Sequence, residues 1–130
     1  MPSYAHEGDA GMDIYSAHDA VLKPGERKLI GTGIKIAVPV GYEAQIRPKS
    51  GLALKHGLSI VNTPGTVDSG YRGEVGVIII NLGQEDYIIK KNTKIAQMVI
   101  NKVEHAEVEE VNVLDDTSRN EGGFGSTGLE

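Results

Sequence analysis

Ile34-Lys35-Ile36-Ala37-Val38-Pro39-Val40-Gly41-Tyr42-Glu43-Ala44-Gln45-Ile46-Arg47 alternates apolar residues with others almost without a break. Successive side chains of an extended chain point to opposite faces, so Ile34, Ile36, Val38 and Val40 share one face and Lys35, Ala37 and Pro39 the other. Past Gly41 the period resumes, with Tyr42, Ala44 and Ile46 set against Glu43, Gln45 and Arg47. A half-buried strand is predicted, and Pro39 marks an edge or bend because proline cannot donate to a ladder. No stretch of the chain shows sustained helical periodicity. The expected architecture is therefore all-β, a sandwich or barrel.

Upstream, Glu7-Gly8-Asp9-Ala10-Gly11 is turn-like, and Met12-Asp13-Ile14-Tyr15 puts Asp13 at opposite parity to Met12 and Ile14. A carboxylate beside Ala10-Gly11 could reach a hydrated cation, although an exposed strand Asp is the commoner outcome. Val21-Leu22 and Lys28-Leu29-Ile30 flank Lys23-Pro24-Gly25-Glu26, which reads as a hairpin turn. Downstream, Val75 to Leu82 (VGVIIINL) reads as the most buried strand, Tyr87 to Ile89 as a returning one, and Ile95 to Val103 as another. Gln97 is the one uncharged polar residue between Ile95 and Ile100, and its amide needs partners. Val108, Val111 and Val113 suggest a last, acidic strand.

Glycine supplies 17 of 130 residues, roughly twice the usual share, which means many turns between short strands. Hydrophobic residues are 39% and aromatics 5%, a thin core for one domain, so partners are expected to finish burying its apolar surface. With 13 basic against 18 acidic residues, net −5, the chain has no electrostatic footprint for a nucleic-acid polymer or an anionic membrane. There is no cysteine, hence no disulfide or thiolate metal site. No apolar run reaches transmembrane length and Met1-Pro2-Ser3-Tyr4 is no signal peptide. The expected location is the cytoplasm, or the nucleus in a eukaryote, and not outside the cell.

Three stretches carry chemistry. In Val61 to Glu74 (VNTPGTVDSGYRGE), Pro64-Gly65 marks a tight turn, with Val61-Asn62 and Thr66-Val67 expected as the arms of a hairpin. Backbone groups at its mouth and the Asn62 amide could read a flat polar ligand such as a nucleobase. Asp68 and Tyr71 follow, a carboxylate and a ring that could serve a water and a sugar; an ordinary turn is the bland alternative. In Arg47-Pro48-Lys49-Ser50-Gly51-Leu52-Ala53, two cations, a hydroxyl and a glycine precede a short helix over Leu52 to Lys55, a plausible phosphate cradle though not a Walker loop. The last sixteen residues, DDTSRNEGGFGSTGLE, hold four glycines, Arg119, Ser126, Thr127 and the only phenylalanine, Phe124. They read either as a disordered tail or as a lid. Gly123 to Gly128 matches GxGxxG, but no strand precedes it in a βαβ unit, so the dinucleotide fingerprint fails on context.

Together, in order, Ala10-Gly11-Met12-Asp13-Ile14-Tyr15-Ser16, Arg47 to Ala53, Gly65-Thr66-Val67-Asp68-Ser69-Gly70-Tyr71-Arg72-Gly73, Lys94-Ile95-Ala96-Gln97-Met98, and Arg119 with Gly122 to Gly128 resemble the five motifs of the trimeric deoxyuridine triphosphatase (dUTPase) family. The resemblance covers essentially the whole chain. It implies a β jelly-roll core over 1–114 and a flexible lid over 115–130, assembled as a homotrimer whose active sites draw on three chains. It implies hydrolysis of dUTP to dUMP and pyrophosphate, with Asp68 activating the water that attacks the α-phosphorus. Asn62 with Gly65, Thr66 and Val67 of the turn would read uracil, and Tyr71 would pack on the deoxyribose. Lys49, Ser50, Gly51 and Gln97 fall on phosphate-side positions. Arg119 and Ser126-Thr127 would engage the outer phosphates, while Phe124 and Gly125 close over the base. Mg²⁺ would ride on the triphosphate, with Asp13 at most a water-mediated contact.

Two departures stand out. The family usually carries a further strand's worth of residues before the position of Ser3-Tyr4, and Asn120 stands where the tail motif commonly has glycine. Asn tolerates positive φ better than most residues, so lid closure is expected to survive. A deoxycytidine triphosphate deaminase shares the family fold, and there Glu74 would be the only nearby acid/base. A non-catalytic nucleotide- or protein-binding trimer is the rival from another class.

Overall fold

The computed structural model describes residues 1–128, and its regular structure is almost wholly antiparallel strands. Strands β1 (Gly11–Tyr15), β9 (Lys94–Lys102), β4 (Tyr42–Arg47) and β6 (Gly65–Val67) form one sheet in that order. A second sheet orders β3 (Arg27–Gly31), β7 (Gly76–Asn81) and β5 (Leu58–Ile60), and a small third pairs β2 (Ala20–Leu22) with β8 (Tyr87–Ile89). The helix α1 (Ser50–His56) links β4 to β5. Among the described residues no helix is long and apolar enough to cross a membrane.

Alternation in the sequence becomes burial on one side of each sheet. Ala44 and Ile46 of β4, Met98 of β9 and Ile14 of β1 meet Ile30, Val77, Ile79 and Ile60 of the second sheet, and Leu22 and Ile89 close one side. The all-β expectation therefore holds, as does the parity of β4. The strand VGVIIINL does run through the core, but it buries only alternate residues, Val75, Val77, Ile79 and Asn81. Asn81 is fully buried and its amide ties three segments together. It donates to the Leu22 carbonyl at 2.9 Å and the Glu85 carbonyl at 2.8 Å, and accepts the Gly83 N–H at 2.9 Å.

Connectivity departs from the sequence reading. Every strand pairs with partners distant in the chain, as β2 with β8, β3 with β7, and β4 with both β6 and β9. The turn at Lys23 to Glu26 forms, closed by the Glu26 N–H on the Lys23 carbonyl at 2.9 Å, yet its two arms enter different sheets. The turn at Pro64-Gly65, with a cis Thr63–Pro64 peptide, likewise joins β5 of one sheet to β6 of the other. Neither is a hairpin: turn residues specify that the chain reverses, not which edge it then pairs with. These repeated crossings between sheets are what a jelly roll requires.

Two expected strands are absent. Residues 34–39 carry no ladder, although Val38 is buried and Ile34 and Ile36 pack on the core, and Val40 is exposed in a turn. Val108, Val111 and Val113 are exposed and pair with no strand among the described residues. At the N-terminus Ser3 bridges to Asp13, whose N–H donates to the Ser3 carbonyl at 2.9 Å.

Candidate active site

The residues singled out in the sequence gather in three places. The first is a cleft of about 160 Å³ lined by Thr66, Val67, Asp68, Tyr71, Glu74, Val75 and Gly76. Asp68 leaves the end of β6 into solvent, and the Tyr71 N–H donates to the Asp68 carbonyl at 3.1 Å, so carboxylate and ring ride on one tight turn. The Tyr71 phenol donates to the Glu74 carbonyl at 2.8 Å. Gly73 makes room for that ring: a Cβ there would press on Tyr71 Oη, Cζ and Cε2, the last at 2.9 Å. Asn62 is outside that lining; its Nδ2 lies 3.3 Å from where a Cβ on Gly65 would be. At this size the cleft suits one ring, well short of the ~300 Å³ at which whole-ligand pockets begin.

The second place lies where β4 runs into α1. Lys49 caps the helix with extended backbone and supplies no side-chain cap, so the Ser50 and Gly51 amides of the first turn have no capping oxygen, and no acid stands in that turn. Gln97 finds the partner its position demanded, donating Nε2 to the Pro48 carbonyl at 2.8 Å. Gly11 across the β1–β9 ladder is what admits the amide, since a Cβ there would sit 2.5 Å from Gln97 Oε1.

Asp13 corrects the expectation of an exposed strand carboxylate. It is buried, and both its oxygens are taken: the Lys49 ammonium donates to Oδ1, and Lys94 Nζ lies 2.7 Å from Oδ2. The Lys49 hydrogen bond, then that of Lys94, holds its carboxyl below the usual range despite burial. Lys94 is raised in turn by its bond to Asp13. Lys94 is the residue that sequence reasoning passed over; the signal was a cation opening the strand that would face Asp13's.

The third place is the tail. Arg119 Nε donates to the Gly122 carbonyl at 2.8 Å, and the Ser126 and Gly128 N–H groups close turns on Gly123 and Gly125. Phe124 is fully exposed and stands over neither of the other places; Gly125, Ser126 and Thr127 are exposed beside it. Asn120 does adopt the left-handed conformation expected of it, φ 40°, with its Oδ1 accepting the Thr117 N–H at 2.6 Å. Of the expected lid, residues 129–130 lie outside the described residues.

The first and second places lie at opposite ends of one sheet. In the antiparallel register Ile46 faces Gly65 and Ala44 faces Val67, so Asp68 falls level with Glu43 while Lys49 lies beyond Arg47. Six residues of extended chain separate those ends, roughly 20 Å at the rise of a strand.

Residues 1–128 match the dUTPase family. A deoxyuridine 5'-triphosphate nucleotidohydrolase of Clostridium kluyveri is 60% identical over 98% of this chain and 90% of its own length, and one from Clostridium novyi is 60% identical over 99% and 91%. Among solved structures, a mutant dUTPase of Staphylococcus bacteriophage 80alpha with dUpNHpp superposes with a TM-score of 0.92 at 30% identity, covering 99% of this chain and 92% of the phage chain. A phage phi11 dUTPase mutant described with a structural Mg(II) ion superposes with a TM-score of 0.81 at 30% identity, covering 89% and 92%.

Proposed function

The chain belongs to the dUTPase family, and from that premise we propose that it hydrolyses dUTP to dUMP and pyrophosphate. The observation that carries the reading is the shared turn of Asp68 and Tyr71, which aims a solvent-facing carboxylate and an anchored ring into one cleft. In this reading Tyr71 packs on the deoxyribose and Asn62 with the Gly65 to Val67 backbone reads uracil. Asp68 holds a water in line with the α-phosphorus and takes its proton as the new P–O bond forms, while the bond to the bridging oxygen breaks and pyrophosphate leaves. Fixing the water matters because a polyanion repels free hydroxide.

Lys49, Ser50, Gly51 and Gln97 are assigned to the phosphate side, and Arg119, Phe124, Gly125, Ser126 and Thr127 to a lid that closes over the bound nucleotide. Asp68 and Lys49 lie too far apart in one chain to grip one nucleotide, which supports sites completed between copies of a homotrimer. Mg²⁺ fits this chain only as the nucleotide's companion. Among the described residues no three His, Asp or Glu side chains converge as a cage, and Asp13 is committed to two ammonium groups. No step is derived through the ion.

The deaminase reading needs Glu74 as acid/base, and one oxygen of that carboxylate already accepts the Gly33 N–H at 2.8 Å, while the Val67 to Tyr71 sequence and the Gly/Phe tail favour the hydrolase. The test is proton and pyrophosphate release from dUTP, with dCTP, dTTP and UTP as controls, on this chain and on Asp68→Asn. We expect dUTP-selective hydrolysis that drops at least a thousandfold in the variant. Ammonia released from dCTP would move the protein to the deaminases, and tight dUTP binding without turnover would make it a binding module.

A further inference from the structure

The loop that carries Asp68 and Tyr71 is fastened at one end by a side chain to which the proposed reaction gives no part. Glu74 Oε1 accepts the Gly33 N–H at 2.8 Å, across from the segment that follows β3. Beside it the Val75 N–H donates to the Ile34 carbonyl at 2.9 Å and the Thr32 hydroxyl to the Val75 carbonyl at 2.5 Å. Gly31 is kept bare for the same contact, since a Cβ there would meet Glu74 Oε1 at 2.7 Å and His18 Cε1 at 3.3 Å. One residue thus works in two directions. Its carboxylate grips the 31–34 segment, and its carbonyl receives the Tyr71 phenol at 2.8 Å.

We propose that Glu74 is a positioning residue for sugar selection: by clamping its own backbone to Gly33 it fixes the carbonyl that sets the height of the Tyr71 ring in the cleft. The inference rests on the functional reading above, in which that ring packs on the deoxyribose. A ring held against the sugar face excludes the extra hydroxyl of a ribonucleotide sterically, and steric exclusion is only as sharp as the wall is stiff. Discrimination of this kind is a difference between two transition-state energies, so a looser wall costs it while leaving the reacting atoms in place. The Val75 N–H shares a peptide plane with the Glu74 carbonyl and is held by Ile34, so the carboxylate adds a second tether that limits rocking of the plane, and the loop stays folded without it.

The experiment compares wild type, Glu74→Ala and Glu74→Gln by kcat and KM for dUTP and for UTP, with melting temperature alongside. Loss of the carboxylate in Glu74→Ala should lower the preference for dUTP over UTP roughly tenfold, as expected when a positioning contact is lost away from the chemistry. Most of this change should appear as a gain in kcat/KM for UTP, with kcat for dUTP little changed. Glu74→Gln should restore most of the preference, since an amide oxygen still accepts the Gly33 N–H, and faster amide exchange over residues 32–35 should appear in Glu74→Ala alone. Equal changes for both nucleotides would overturn the proposal, as would Glu74→Gln behaving like Glu74→Ala or a fallen melting temperature with the preference intact. A wild-type chain that turns over no dUTP overturns the functional reading itself, and this is seen before any variant is made.

Discussion

Lys94 Nζ lies 2.7 Å from Asp13 Oδ2, and Asp13 is only 7% exposed while the lysine side chain is half in solvent. The carboxylate also takes the Lys49 ammonium, so one buried negative charge holds two cations side by side at the phosphate end of the sheet. Replacing it by Asn leaves two ammonium groups facing a neutral amide. Two charge-assisted bonds weaken at once, and Asp13→Asn should cost about 2 kcal/mol of stability at neutral pH. The sign of the pH dependence follows from the lowered carboxyl. Its contribution is complete above the ordinary value of 3.8 and is lost as pH falls through the depressed folded value. Denaturation of both proteins at one fixed concentration should show the gap between them closing only in strong acid. A gap that instead closed between pH 5 and 7 would contradict the pairing.

Gly73 and Tyr71 make a second prediction. A Cβ at Gly73 collides with the far end of the Tyr71 ring, and a side-chain end can swing aside where backbone cannot. Gly73→Ala should therefore fold nearly normally, with a melting temperature within a few degrees of wild type, but with the ring displaced from the cleft. Activity should fall roughly a hundredfold in kcat/KM, because displacements on the scale of an ångström are costly at a reacting centre. A fully active Gly73→Ala would mean that the ring does not touch the substrate.

Strand parity was legible from the sequence because it is a local property: Ala44 and Ile46 are buried where the alternation put them. Partner choice was not. Lys23 to Glu26 and Pro64-Gly65 announce reversals, and the long-range ladders decided the rest. Asp13 shows the same limit at the level of a side chain. Its parity pointed it off the core, correctly, but its burial comes from Lys49 and Lys94 on other elements. Val108, Val111 and Val113 show the converse, since alternation describes a strand only where another strand pairs with it. The site motifs were legible as motifs, yet their separation into two ends of one sheet emerged only from the register of β4 with β6.

The tail supplies a third prediction. Its hydrogen bonds over the described residues are local, and Phe124 buries nothing. A chain ending at Asp116 should keep the melting temperature and secondary structure of the full chain. It should lose at least a hundredfold in kcat/KM for dUTP if the tail closes over the nucleotide and excludes water. Phe124→Ala should reproduce part of that loss, and a truncated chain of unchanged activity would remove the lid from the mechanism.

The last prediction tests where one site ends and the next begins. Asp68 stands level with Glu43 near one end of β4 and Lys49 lies past the Arg47 end, roughly 20 Å apart along the strand direction. A nucleotide gripped by both must therefore sit between two copies. Asp68→Asn should be inactive for want of a base and Lys49→Ala for want of a phosphate contact. Lys94 still neutralises Asp13 in the second variant, so it should fold. Mixed in equal amounts after unfolding and refolding together, the two dead proteins place an intact Asp68 chain beside an intact Lys49 chain at about one site in four, if copies assemble at random. The mixture should recover about a quarter of wild-type activity, with sedimentation showing a single oligomeric species throughout. If each chain housed a complete site, the mixture would stay as inactive as its parts.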